Sequence, residues 1–577
     1  MKKTKLLASL LALVLILSSI SALTMSVSAI DTDSNGTVDY TQAPDVKNNK
    51  TIAYVTPSAG IDEDGINTYE EFAFALQNYG TDAFPAQEIE LTGDLDLGGL
   101  KMESTIFGNL ADGMVIDGNG YAIKNFNIDY WQDRGLFEVG EGSHFVIKNL
   151  DFGTADSPIS GRLGGSEWKN HGIILGKAMY GSEAYFSFDI DNVDMYVAFN
   201  RNNGGYKGGL AAFIGKATLS ADSSIKNSNV YGSLTHNKTT GNCYTAAFVA
   251  NLLSNSSGAT LTIENCANYA TLTGGNAIGA FVGSQEDGAN LVINNCVNFG
   301  TIVSGGDSVG GFVGKAIAGA TTITDSANLG TVTGASNVAG LVGSANTEGS
   351  LTVTSSINAA NVTAGETAAV SQYTNKDANK TVSVTNSFAL STATLTGTET
   401  AFEGNSTLAS LDEVAAKMRE LKLGYYTVQD GKVALDAKVP QLVGAQTSAV
   451  DGKTFNVRFV AVLKNSDLAQ YSKVGFKVEA VCDNGETLNE TKDSTVVFTS
   501  LNASVDGGMR TYENYELNGD YIIAIAWNGV PANDGALLGY TVTFKVTPYA
   551  VALDDVTTYE GLSYDFTYVN GAKPAAN

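Results

Sequence analysis

Cysteine, proline, histidine and positive charge are all scarce in this chain, and each shortage removes a class of protein. Four cysteines in 577 residues are too few for a disulfide scaffold in a chain of this length. Eight prolines beside 63 glycines point to turns built on glycine, as in a long all-β protein. Charged residues make up 16% of the chain, with 34 Lys plus Arg against 60 Asp plus Glu. Without Lys2, Lys3 and Lys5 the balance is 31 against 60, a formal charge of −29. Such a surface repels phosphate, so nucleic acid and bare anionic membranes are poor partners. Cations are rarest in the middle. Lys315 is the only one between Thr239 and Asn375, a stretch without His or Arg.

Long apolar runs are also missing, with one exception. Leu6 to Leu23 is uncharged and mostly apolar, follows the three N-terminal lysines, and leads to Val27-Ser28-Ala29. A basic start, an apolar core and a small-residue site are the grammar of a secretory signal peptide, with cleavage expected after Ala29. No second run of that length follows, and no LPxTG-like sorting tail occurs at the C-terminus. The expectation is a protein secreted to the extracellular space, free or associated with the cell wall, and not integral to a membrane once residues 1–29 are removed.

What the sequence has in abundance is repetition. Ile263-Glu-Asn-Cys-Ala-Asn-Tyr-Ala-Thr-Leu272 returns as Ile293-Asn-Asn-Cys-Val-Asn-Phe-Gly-Thr-Ile302, as Ile323-Thr-Asp-Ser-Ala-Asn-Leu-Gly-Thr-Val332 and as Val353-Thr-Ser-Ser-Ile-Asn-Ala-Ala-Asn-Val362. A second set lies between them: Ala280-Phe-Val-Gly283, Gly311-Phe-Val-Gly314 and Gly340-Leu-Val-Gly343. Weaker copies are Ile123-Lys-Asn125, Ile147-Lys-Asn149, Ile190-Asp-Asn192, Ile225-Lys-Asn227 and Val384-Thr-Asn386. Each unit of about thirty residues holds three short strand-like pieces parted by Gly, Asn, Ser and Thr. Such units bury their apolar edges only by stacking. The period therefore predicts an all-β fold, a right-handed parallel β-helix with three strands per coil. About nine coils at about 4.8 Å give a rod of about 45 Å.

Stacking puts equivalent residues above one another. Phe281, Phe312 and Leu341 form one predicted interior column; Ile263, Ile293, Ile323 and Val353 form another. Asn268, Asn298, Asn328 and Asn358 share a register, which predicts a buried amide ladder rather than a binding stripe. Cys266 and Cys296 are stacked too, but parallel side chains do not meet disulfide geometry, so two buried free thiols are expected.

These segments resemble the GLUG-type β-helix repeats of large bacterial surface proteins. The approach through Ile89-Glu-Leu-Thr-Gly-Asp-Leu-Asp-Leu-Gly98, Ile116-Asp-Gly-Asn-Gly-Tyr-Ala-Ile-Lys-Asn125 and Gly135-Leu-Phe137 fits the same pattern. The resemblance covers about residues 60–400 and implies an adhesin-like role. The same coils form non-catalytic parts of immunoglobulin A1-cleaving metallopeptidases, but His144, His171 and His236 are the only histidines. None sits in the His-Glu-x-x-His context of that zinc helix.

The flanking segments complete the plan. An acidic leader spans 30–60 and the β-helix 61–400, with a capping helix at 68–78 opened by the capping box Thr68-Tyr-Glu-Glu71. A connector at 401–440 contains a helix opened by Ser410-Leu-Asp-Glu413 and stopped at Gly424, and the two helices bracket the rod. Residues 441–577 read as an immunoglobulin-like β-sandwich and resemble a C-terminal domain of secreted clostridial proteins. Six strands are expected there: Phe455–Leu463, Val474–Cys482, Ser494–Thr499, Asp520–Trp527, Tyr540–Thr547 and Leu562–Val569.

Candidate chemistry is thin. Asp31, Asp33, Asn35 and Asp39 follow the spacing of a calcium loop, but position twelve is Gln42 and no helix precedes it. Calcium is the one cofactor any motif admits. Trp131, Trp168, Tyr180 and Tyr185 lie in insertions between early coils, where aromatics stack on sugars or pack the insertion down. Residues 130–207 also hold Asp133, Arg134, Arg162, Glu167, His171, Asp189, Asp191, Asp194 and Arg201. A polysaccharide lyase or glycoside hydrolase on a β-helix would draw on these. Three function classes follow: a non-catalytic binder of a glycan or surface protein, a polysaccharide-cleaving enzyme, and a structural spacer in a surface layer. Ice binding is disfavoured, because the Thr-x-Thr pairs Thr271–Thr273 and Thr331–Thr333 are interrupted at Thr301-Ile302-Val303.

Overall fold

The computed structural model describes residues 60–569, with gaps that include 103–106, 129–134, 163–168, 179–183 and 202–207 and several segments beyond residue 450. It is a parallel β-solenoid of about 9 turns with about 31 residues per coil, the right-handed β-helix expected. One coil shows the plan. Asn290–Asn294, Val297–Asn298 and Ile302–Val303 belong to a sheet of 25 strands, Asp307–Gly310 to one of seven, and Val313–Ala316 to one of six. Each strand pairs in parallel with its counterpart in the next coil, as Ile293 with Ile323 and Val313 with Val342.

The predicted interior columns are present. Ile263, Ile293, Ile323 and Val353 are in register and fully buried. The phenylalanine column is longer than the repeat alone indicates: Phe213, Phe248, Phe281 and Phe312 stack with centroids 5.1, 5.1 and 4.7 Å apart. Leu341 continues it, its carbonyl accepting the Phe312 N–H.

The amide ladder is also buried. Asn268 Nδ2 donates to Asn298 Oδ1 at 2.8 Å, Asn298 to Asn328 at 2.8 Å, and Asn328 to Asn358 at 2.9 Å. Asn268 and Asn298 each also hold their own corner, accepting from the N–H and donating to the carbonyl two residues on. Every amide group is thus satisfied within a dry interior, where an unpaired one would be costly. Cys266 and Cys296 are buried and free. Burial, and then the neighbouring Cys296, pushes the Cys266 thiol well above its usual range.

A second asparagine row runs outside. Asn149, Asn192, Asn227, Asn265 and Asn295 all adopt φ between 50° and 56°, a left-handed conformation asparagine tolerates better than most residues. This is the physical reason for the recurring Ile-x-Asn signature. Their amides link neighbouring coils, as from Asn192 to Asn149 and from Asn265 to Asn227.

The recurrent Phe-Val-Gly glycines have a different cause. The seven- and six-stranded sheets meet at a concave corner where their outer faces touch. A Cβ on Gly283 would lie 2.5 Å from Ala250 O and 3.0 Å from Thr245 N; one on Gly314 would lie 2.4 Å from Ile278 N. No side chain fits there.

Helix α1 (Tyr69–Asn78) has the expected capping box and seats Phe72 on Phe107 and Phe137 of the first coils. Helix α2 (Leu411–Glu420) departs from expectation twice. It ends well before Gly424, because Lys422 at φ 57° closes a Schellman turn, with Lys422 N–H bonded to Arg419 O and Leu423 N–H to Met418 O. It also does not bracket the rod. With the hairpin Tyr426–Gln429/Lys432–Leu435, it lies along the flank, where Val414, Ala415, Met418 and Tyr426 cover the outward Val297, Ala327 and Ile357 of three successive coils.

The C-terminal region forms two antiparallel sheets, of five and six strands. Phe459 of one meets Phe544 and Phe566 of the other at 5.7 and 5.9 Å, as in a β-sandwich. All six expected strands are there, three of them extended to Tyr471–Cys482, Asp520–Pro531 and Thr541–Ala552. Five more were not anticipated: the long Gln441–Val450 and Gly508–Leu517, and the short Thr487–Leu488, Ala503–Val505 and Thr558–Glu560.

Candidate functional site

Two surface features of the rod combine chemistry suited to binding. The first is an aromatic ladder on the outer flank. Tyr196, Tyr231, Tyr269 and Phe299 occupy one register in successive coils. Their rings are nearly parallel, with centroids 4.8, 4.9 and 4.8 Å apart and interplanar angles of 12°, 3° and 2°. Tyr269 is 38% exposed. The ladder then runs under the docked hairpin, where Tyr426 covers Phe299 at 5.7 Å.

Beside the ladder lie two rows of short polar side chains. Ser233, Thr271, Thr301, Thr331, Asn361 and Thr394 form one; Thr235, Thr273, Val303, Thr333, Thr363 and Thr396 form the other. The break at Thr301-Ile302-Val303 is therefore smaller than the pair spacing indicated: Thr301 keeps its row, and one valine replaces a hydroxyl. Neither row contains a charge.

The second feature is a groove of about 540 Å³ at the mouth of the concave corner, lined by Asn242, Tyr244, Glu286, Asp287, Lys315 and the 317–319 turn. Tyr244 is nearly buried, and burial together with the hydrogen-bonded Glu286 carboxylate raises its phenol above the usual range. Ser284 Oγ donates to Glu286 Oε1 at 2.8 Å. Lys315 stands in register between Ser284 and Ser344.

The residues singled out from sequence fare differently. Trp131, Trp168 and Tyr180 lie outside the described residues, as do Asp31, Asp33, Asn35 and Asp39. Tyr185 is half-buried; its hydroxyl bonds Glu141, which raises its pKa, and its carbonyl accepts the Gly142 N–H. That contact holds the insertion to the rod. Asp189, Asp191 and Asp194 do not converge. Asp189 accepts from Ser224 Oγ and lies 3.5 Å from His144 Nε2, Asp191 accepts from Asn227 Nδ2, and Asp194 accepts from the Asn229 backbone and side chain. Each carboxylate joins one coil to the next. Among the described residues, no group of three His, Cys, Asp or Glu could hold a metal ion.

Two of the 130–207 candidates, His171 and Arg201, come together with His236 in an internal polar cluster that sequence reading did not anticipate. Arg201 and His236 are in register in adjacent coils, both fully buried, with His171 nearby. Burial first, then Arg201, His236 and Lys169, hold the His171 imidazole well below its ordinary pKa. Neither ring nitrogen of His171 has a hydrogen-bond partner among the described residues.

No family model matches the chain, and no curated protein matches it. Among solved structures it is similar to a Bacteroides ovatus protein provisionally named an immunoglobulin A1 protease, with 15% identity and a TM-score of 0.34, covering 66% of this chain and 95% of that one. A likeness that distant bears on neither activity nor ligand.

Proposed function

We propose that this chain is a secreted, adhesin-like rod that binds an extended glycan along its flank without cleaving it. The observation that carries the reading is the repetition of one surface chemistry, a tyrosine or phenylalanine beside two short polar side chains, at the strand spacing. Such a surface offers equivalent contacts to a ligand that is itself a repeating polymer. Aromatic rings and uncharged hydroxyls are the groups that contact sugars, and the acidic remainder of the surface disfavours polyanions. The inter-coil bonds of Asp189, Asp191 and Asp194 favour a structural role for those carboxylates over a catalytic one.

The test incubates the purified protein with cell-wall and dietary polysaccharides, recovers the bound fraction and sizes it. Retention at unchanged chain length is expected, with at least a tenfold loss in affinity for the Tyr231→Ala/Tyr269→Ala double variant. Shortened chains would make the protein an enzyme, and retention unaffected by the double variant would remove the flank from the account.

A further inference from the structure

The corner groove differs from the flank in one respect: it holds a cation. Lys315 is the only Lys, Arg or His between Thr239 and Asn375, and it sits on the wall of this groove. Other lysines of the rod are engaged, Lys124 with Asp94, Lys148 with Glu88 and Asp117, and Lys226 with Glu264. The Lys315 ammonium makes no ion pair or hydrogen bond among the described residues. A stretch so poor in cations therefore places its single one, unengaged, in a concave site of a size typical for small ligands.

We infer that this groove binds a sugar residue bearing one carboxylate, with Lys315 as the carboxylate's partner. The other lining groups suit the rest of such a ring. Glu286 and Asp287 accept hydrogen bonds from sugar hydroxyls, the Asn242 amide donates and accepts, and Tyr244 forms the buried wall. The two carboxylates also set the charge limit. They tolerate a single negative charge placed at Lys315 and repel a phosphate dianion, for which one ammonium is insufficient compensation. The proposal deepens the glycan-binding reading and rests on it, adding a discrete acidic-sugar subsite to a neutral flank.

The experiment is calorimetric titration of the purified protein with the methyl glycoside of galacturonate, which carries one carboxylate, with its methyl ester and with inorganic phosphate, repeated for Lys315→Ala and Lys315→Arg. Binding of the acid is expected, weakened at least tenfold in the ester and in Lys315→Ala and largely kept in Lys315→Arg, with phosphate unbound. Because the ammonium bonds nothing, the melting temperature of Lys315→Ala should match the parent, which separates lost recognition from lost folding. Equal binding of acid and ester, no binding of the acid, or indifference to Lys315→Ala overturns the proposal. The Tyr231→Ala/Tyr269→Ala variant distinguishes the two readings: it should leave binding of the galacturonate glycoside intact while weakening long neutral chains. Binding of that glycoside by a protein that retains no neutral polymer would refute the flank and leave the groove standing.

Discussion

The central coils and the early coils solve the same problem differently. From Asn265 to Asn295 the period is 30 residues, whereas 43 separate Asn149 from Asn192 and 38 separate Asn227 from Asn265. In the central coils each side chain lies on its like, so the interior becomes columns of Ile, Phe and Asn. In the early coils the insertions change each turn's length; the isoleucine column continues through Ile147, Ile190 and Ile225, but other parts of the interior are filled by individual solutions. Phe145, Phe186 and Phe188 cluster within about 6 Å of one another, and Arg201, His171 and His236 are buried together. Equal length repeats every position of a coil; unequal length keeps the strand columns but adds bespoke packing and admits buried charge.

Substitutions can break this contrast, and the largest effects fall in the columns. Phe281→Ala removes a ring stacked on both neighbours and should cost about 4 kcal/mol, read as a lower urea midpoint. Gly314→Ala forces a Cβ into the concave corner and should cost about 3 kcal/mol, in the same assay. Asn298→Ala should cost about 2 kcal/mol, since it removes the ladder partners of the Asn268 amide N–H and the Asn328 amide oxygen. If adjacent columns act as one unit, the Phe281→Ala and Gly314→Ala losses will be non-additive.

The early coils should respond instead to pH. The folded-state pKa of His171 is lowered, so the unfolded chain takes up the proton first. The stability contribution is complete above the ordinary imidazole value of about 6.5 and is lost as pH falls below it. Melting at pH 7.5 and pH 5.5 should differ, and His171→Gln should shrink the difference. An unchanged difference would separate the pH response from this cluster. The smallest stability effect is expected on the flank, where Thr333→Val should shift the melt by less than about 0.5 kcal/mol.

This contrast also explains what could be read from sequence. The coil period, the amide ladder and the free thiols were legible because identical residues recur at identical spacing, which only stacking explains. The Phe-Val-Gly glycines were visible as a pattern, but their cause lies in two backbones meeting across a corner. The Arg201–His171–His236 cluster has no periodic signal, since Arg201 and His236 share a register but not a residue type. The flank ladder was hidden by degeneracy: Tyr196, Tyr231, Tyr269 and Phe299 stand at unequal spacings and vary in type. Aligning them on the Ile-x-Asn corner, whose Asn lies four residues upstream in every case, would have exposed it. The position of α2 was unreadable for a related reason. Its apolar face was plain, but the outward Val297, Ala327 and Ile357 that receive it look like ordinary strand residues.

The central claim is that a repeating surface recognises a repeating ligand, and affinity against ligand length tests it most directly. A neutral oligosaccharide series of one to eight units, drawn from whichever polysaccharide the protein retains, should bind progressively tighter until it spans the Tyr196–Tyr231–Tyr269 ladder, then level off. Equal affinity for the single sugar and the octamer would contradict the account, placing recognition in one pocket rather than along the rod.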